Sequence, residues 1–287
     1  MQTFDLPNFD RYCRDYRQLG EALGVAGTKP APGEVDFLRA VTTPCRFDFG
    51  MLSPPEIFFA AGVTSILSPR MALEIGTASG FSAAIIAKMM ALRLEESESG
   101  NGATLVHTID KNATCSFDHS KPIGFGIELM APELRNRIAL HPRCESSRCG
   151  DIVRQGETTL GFVDGNHRHP WPLSDLMQLL QVMESGWILL HDIDLPGMVE
   201  RARAAGQAVE CAPDSGAKLI FEHWPGRKIS SGNIGAIEVP LDLDSLGKFV
   251  EKLRAVPSEV GPRRALKQWR TVEALMNSPQ RRRSALR

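Results

Sequence analysis

Two short stretches concentrate side chains suited to acid–base or metal chemistry. One is Phe162-Val-Asp-Gly-Asn-His-Arg-His-Pro170, and the other is Leu190-His-Asp-Ile-Asp194. Each follows an apolar run of the buried-strand kind. Asp164 and Asp192 are therefore expected to converge at the C-terminal edge of one sheet. Asp and His suit a divalent cation such as Mg2+ or Mn2+. A cation there would hold a substrate hydroxyl and lower its pKa. His167 or His169 would take the proton, because imidazole titrates near neutral pH. Plainer readings stand beside these. Asp-Gly is a common turn pair, His191 could be a satisfied core histidine, and Asp194 could cap a helix starting at Pro196. Trp171 could wall a substrate pocket or simply pack.

A second signal is Leu73-Glu-Ile-Gly-Thr-Ala-Ser-Gly-Phe-Ser82. Glycine permits a tight turn and close approach of backbone to a ligand. A helix opening at Gly80–Ser82 would offer free N–H groups to a polar or anionic group. The spacing is not G-x-G-x-x-G, since Ala78 is not glycine, and no GK[ST] marks a phosphate-binding loop. Asp110 ends the next strand, where a carboxylate could accept both hydroxyls of a ribose. Glu145–Ser147 occupies the corresponding rim after a third strand and could contact an adenine ring.

These loops need strands and helices to aim them. Strand-like runs are Met71–Ile75, Thr104–Ile109, Arg137–Leu140, Leu160–Val163 and Trp187–Leu190. Helical patterns cover Phe81–Leu94, Ile127–Asn136 and Leu173–Ser185, where Leu173, Leu176, Met177 and Leu180 fall at helical spacing. Such alternation predicts a mostly parallel sheet covered on both faces. Lys218–Trp224 and Gly235–Val239 follow with too short a link for a crossover helix, which predicts an antiparallel hairpin at the sheet edge. Tyr12–Leu23 and Pro54–Ala61 read as helices, the latter with Ser53 as cap. Asp242–Arg287 reads as two helices broken by Pro257–Pro262, ending in the basic Gln280–Arg287.

The E-x-G-x-x-x-G loop with an acidic end to the next strand resembles motifs I and II of class I S-adenosylmethionine-dependent methyltransferases. That resemblance implies a Rossmann-like α/β fold with a seven-stranded, mostly parallel sheet, a C-terminal antiparallel hairpin and helices on both faces. It places Gly76, Thr77, Ser79 and Gly80 around the methionine moiety, and Asp110 on the ribose. Glu74, Ala78, Glu145, Ser146 and Asp164 complete the implied cofactor set. VDGNHRHPWPLSDL…SGWILLHDID resembles the DGxH subgroup, which includes metal-dependent O-methyltransferases and cephalosporin-hydroxylase-like proteins. It implies Asp164 and Asp192 as metal ligands with His191 beside them, and His167 and Asp164 as catalytic groups. Two departures are visible: Ser185-Gly186 replaces the subgroup's GG, and His191 stands where some relatives carry a carboxylate. The implied activity is methyl transfer to an oxygen of a small hydroxylated molecule. Alternatives are the same fold with non-methylating chemistry, or a catalytically degenerate interaction protein.

Composition sets the outer bounds. The 287 residues carry a net charge of −1 and a hydrophobic fraction of 43%, which excludes wholesale disorder and gives no long-range pull on nucleic acid. No stretch approaches the roughly 20 apolar residues of a membrane span. Six scattered cysteines, without a visible secretory leader, fit reduced thiols in a cytoplasmic protein. Cys144 and Cys149 could in principle meet. The pattern divides into an N-terminal helical extension (1–52), the methyltransferase-like domain (53–240) and a C-terminal helical extension with a basic tail (241–287). The long loop Asn112–Gly126 reads as a lid or binding loop. A small-molecule substrate is expected, and a homo-oligomer is compatible with the sequence.

Overall fold

The computed structural model describes residues 1–42, 52–95, 103–209 and 212–278. The basic tail Gln280–Arg287, residues 96–102, Cys45 and Cys211 lie outside the described residues. The elements run β1 (Gln2–Phe4), α1 (Phe9–Leu23), α2 (Pro32–Thr42), α3 (Pro54–Leu67), β2 (Ala72–Ile75), α4 (Phe81–Glu95), β3 (Val106–Asp110), α5 (Phe125–Met130), β4 (Ile138–Pro142) and α6 (Cys149–Ile152). They continue with β5 (Leu160–Val163), α7 (Trp171–Val182), β6 (Gly186–His191), α8 (Leu195–Ala204), α9 (Gly216–His223), β7 (Lys228–Ser231), β8 (Ile234–Val239), α10 (Leu243–Arg254) and α11 (Pro262–Met276).

Among the described residues, one eight-stranded sheet has the order β1-β7-β8-β6-β5-β2-β3-β4. Only β8 runs against its neighbours β6 and β7, and the other pairings are parallel. The strands β2 and β5 are wholly buried, as expected for a parallel sheet covered on both faces. One core packs α1, α3 and α4 against the sheet, including Tyr12, Phe58, Ile85 and Met89. The other packs α7, α9, α10 and α11 on the opposite face, including Leu176, Ile220, Leu246 and Val272. Helix α3 is apolar on nearly all sides and buried along its length, which a helix tolerates only between other layers.

The structure departs from the sequence expectation in three places. Lys218–Trp224 is not a strand. Ala217, Ile220, Phe221 and Trp224 are buried at spacings of three and one, a helical stripe, and the segment forms α9. The hairpin is instead β7–β8, turning at Gly232 with φ of 58°. The short β7 reads KISS, with too little apolar character to signal a strand, yet Ser230 and Ser231 are buried. The hairpin is also not the edge. Strand β1 adds in parallel to β7, making eight strands where seven were expected. Finally, the helix expected over Ile127–Asn136 breaks at Pro132 into α5 and a 3-10 segment, Pro132–Arg137. Among the described residues no helix is long and apolar enough to cross a membrane.

Candidate functional site

The C-terminal ends of β2, β3, β4 and β5 open on one cavity of about 550 Å³. Gly76 begins its floor with φ of 108°. A Cβ at Gly76 would sit 2.1 Å from the Asp164 carbonyl oxygen, so this glycine allows the β2 and β5 loops to touch. Ala78 adopts φ of 42°, and its N–H donates to Asp110 Oδ2 at 3.2 Å. The other oxygen, Oδ1, accepts from the Asn112 N–H at 2.8 Å. The carboxylate of Asp110 is thus aimed by two backbone donors at the cavity it lines.

Of the expected cofactor residues, Gly76, Ala78, Asp110, Glu145, Ser146 and Asp164 line the cavity. Glu74, Thr77, Ser79 and Gly80 do not; they form the layer beneath. Glu74 is 1% exposed, and its carboxyl accepts from Ser82 and Thr108. Burial pushes its pKa up to about 8, despite those hydrogen bonds. Thr77 Oγ1 meets Thr108 Oγ1 at 2.6 Å. The Asn112–Gly126 loop packs onto this turn. Gly124 N–H donates to Ala78 O at 2.9 Å and Gly126 N–H to Ser79 O at 2.8 Å. Part of the loop therefore buttresses the glycine turn, while Ser116 reaches the cavity.

At the β5 and β6 ends the acidic cluster is closed on itself. His191 Nδ1 lies 2.9 Å from Asp164 Oδ1. Its Nε2 lies 3.5 Å from Glu56 Oε1, an ionic rather than hydrogen-bonded contact. His167 Nδ1 lies 3.2 Å from Asp192 Oδ2, and Asp192 Oδ1 accepts from Asn233 Nδ2 at 2.5 Å. Burial opposes a charge on His191, but the Asp164 carboxylate, with Glu56 and Asp192, outweighs it and holds the pKa well above the usual value. Burial likewise raises Glu56, yet its contacts with His191 bring the net pKa below the ordinary range.

Glu56 and Asn233 are the members that sequence reasoning missed. Ser53-x-x-Glu56 is also a capping box, and the Ser53 N–H does donate to Glu56. That cap role concealed its second contact with His191. Asn233 sits in the β7–β8 turn, which was itself misplaced.

Of the two histidines offered as a base, only His167 lines the cavity. His169 is 1% exposed, with Nε2 3.1 Å from Leu253 O and its ring against Trp269. Burial lowers its pKa, and it serves as a core histidine. Asp194 holds the position before α8, but its side chain pairs with Arg201 at 2.7 Å and makes no cap hydrogen bond. Cys144 and Cys149 are both free thiols. Trp171 does face the cavity, with Lys111 Nζ 5.7 Å from its ring centroid.

The donor set does not fit a divalent cation as it stands. The contact to His191 takes up Asp164 Oδ1, and that to Asn233 takes up Asp192 Oδ1. Among the described residues no group of three or more His, Cys, Asp or Glu side chains is arranged to hold a metal ion. His191 itself, favoured as a cation, neutralises the carboxylates around it.

The fold and site define an α/β protein whose mostly parallel sheet, with an antiparallel hairpin and helices on both faces, opens on one cavity at the C-terminal ends of its strands. Residues 73–193 match a family model described as a methyltransferase domain, in agreement with the resemblance of the glycine loop and the DGxH stretch to class I methyltransferases. No curated protein matches the chain. Solved structures similar to it include the O-methyltransferase from Bacillus cereus in complex with SAH. That pair shares 15% identity over 81% of this chain and 100% of that one, with a TM-score of 0.44. Another is the O-methyltransferase TomG from Streptomyces achromogenes, involved in tomaymycin synthesis, in complex with SAM. Here identity is 16% over 79% of this chain and 99% of that one, with a TM-score of 0.46.

Proposed function

We propose that this protein binds S-adenosylmethionine in the β2–β5 cavity and catalyses methyl transfer to an oxygen of a small hydroxylated molecule. The observation that carries the reading is the convergence on one cavity of Gly76, Ala78, Asp110, Glu145, Ser146 and Asp164, with His167 on the same wall. Asp110 would hold the ribose hydroxyls, and Gly76 and Ala78 would let the backbone approach the amino-acid part. Glu145 and Ser146 would border the base. The cofactor supplies the electrophilic methyl group.

The chain's own part is to deprotonate the acceptor. Asp192 Oδ2 lies 3.2 Å from His167 Nδ1, a carboxylate that would orient the imidazole and leave Nε2 for the proton-accepting role. His191 would balance the charge of Asp164 beside the reacting centre. No step in this scheme passes through a metal. The test is incubation with methyl-labelled S-adenosylmethionine and a panel of small phenols, catechols and sugar alcohols. Label should appear as a methyl ether on at least one hydroxylated compound and disappear with His167→Ala. Label transferred only to nitrogen or carbon acceptors would overturn the oxygen assignment.

A further inference from the structure

The helix α11 lies beyond the matched domain, yet Lys267, Gln268 and Thr271 form part of the cavity wall. It is firmly seated there. Val272 is fully buried, Trp269 packs against His169, and Gln181 Nε2 of α7 donates to Leu275 O at 3.2 Å. The segment before it is tied to the His167 loop, because Glu259 accepts from the His169 N–H and from Ser215.

Two glutamines in this region are unusual. Gln178 on α7 is 8% exposed, and Gln268 on α11 is 7% exposed. Both line the cavity, and among the described residues neither side-chain amide has a hydrogen-bond partner. Their nitrogen and oxygen atoms are nonetheless not sealed off, so they open on the cavity. Amides that open on a cavity are satisfied there by water or by the edge of a ligand that replaces it. Gln178 and Gln268, on the packed helices α7 and α11 and lining one cavity, offer it a set of donors and acceptors. Next to them, Asp175 accepts from Ser146 Oγ at 2.6 Å. Gln178 is seven residues beyond Trp171, about 10 Å deeper along α7 at 1.5 Å per residue. Asp175 and Gln178 are one turn apart on α7, so Gln178 follows directly on the contact that holds the rim residue Ser146.

We infer that Gln178 and Gln268 read the hydrogen-bonding edge of the cofactor's adenine, so that the C-terminal helix completes the nucleoside end of the site. The inference rests on the reading of this cavity as the cofactor site. An adenine edge offers an amino donor beside a ring-nitrogen acceptor, and an amide supplies the complementary acceptor and donor. Replacing the amino group by a carbonyl reverses that pattern, so the same amides would reject hypoxanthine.

The experiment is titration calorimetry of the full chain with S-adenosylhomocysteine and with its inosine analogue. The wild type should bind the adenine compound at least about tenfold more tightly than the inosine one. Gln178→Ala and Gln268→Ala should each weaken S-adenosylhomocysteine binding about tenfold and narrow the preference. Equal weakening toward both compounds would mean a structural role and would overturn the inference. Unchanged affinity and preference would overturn it too, while leaving the cofactor reading intact. A wild type that binds neither compound would remove the cofactor reading itself, and this inference with it.

Discussion

His167 Nδ1, on the cavity wall, and Asp192 Oδ2 stand 3.2 Å apart. The pair joins two loops that are 25 residues apart in sequence, and Asn233 fixes the carboxylate from a third. Asp192 takes a φ of 61°, an uncommon conformation for a residue with a Cβ.

The first prediction concerns this pair. His167→Ala should lower kcat by about 10²–10⁴, the usual contribution of a general base. Affinity for S-adenosylhomocysteine should stay within threefold. Asp192→Asn should lower kcat less, since the imidazole keeps a neighbour but loses its orienting charge. Steady-state kinetics beside calorimetry separates the two effects. Loss of cofactor affinity equal to the loss of kcat would refute the assigned role.

The Gly76 turn should be intolerant of any side chain. Alanine there would combine a positive φ with a contact 2.1 Å from the Asp164 carbonyl. Gly76→Ala is expected to cost at least about 2–3 kcal/mol. Urea denaturation reads it directly, and a cost below about 1 kcal/mol would contradict the packing described.

Glu74 links stability to pH. Its pKa is about 8 in the fold against an ordinary 4.5. A raised value means the contribution is complete below pH 4.5 and is lost as pH climbs through 8. Glu74→Gln cannot ionise, and its amide can pair with both Ser82 and Thr108. The variant should match the wild type near pH 4.5 and exceed it by on the order of a few kcal/mol above pH 8. Denaturation curves at the two pH values check this; a constant difference between the proteins would count against it.

The closed acidic cluster carries its own prediction. Dialysis against EDTA should leave turnover and S-adenosylhomocysteine binding unchanged, because His191 and Asn233 already engage the carboxylates. Loss of turnover restored by Mg2+ would show that the cluster reopens to a metal.

Much of this was legible in the sequence because two periodicities carry it. The buried strands β2, β3, β5 and β6 and the helices α4 and α7 announce themselves by apolar runs and helical spacing. Asp110, Asp164, Asp192 and His167 sit at strand ends, where topology alone predicts convergence. What escaped depended on contacts distant in sequence. Strand β1 has three residues and exists only through β7. Strand β7 is polar, and α9 hid behind a run of large apolar residues that suits either element. Glu56 has an adequate local explanation as a cap, and its pairing with His191 joins elements far apart in sequence. Gln178 and Gln268 look like ordinary surface amides until α11 is laid against α7.

The central claim is that the β2–β5 cavity holds S-adenosylmethionine through Asp110. Titration calorimetry of the wild-type chain with S-adenosylhomocysteine, repeated with Asp110→Ala, tests it most directly. Saturable one-to-one binding is expected, weakened in Asp110→Ala by at least about tenfold, or about 1.4 kcal/mol, just under the roughly 1.5–3 kcal/mol of a hydrogen bond to a charged group. Absence of heat and of any thermal shift in the wild type, or unchanged affinity in Asp110→Ala, would contradict it.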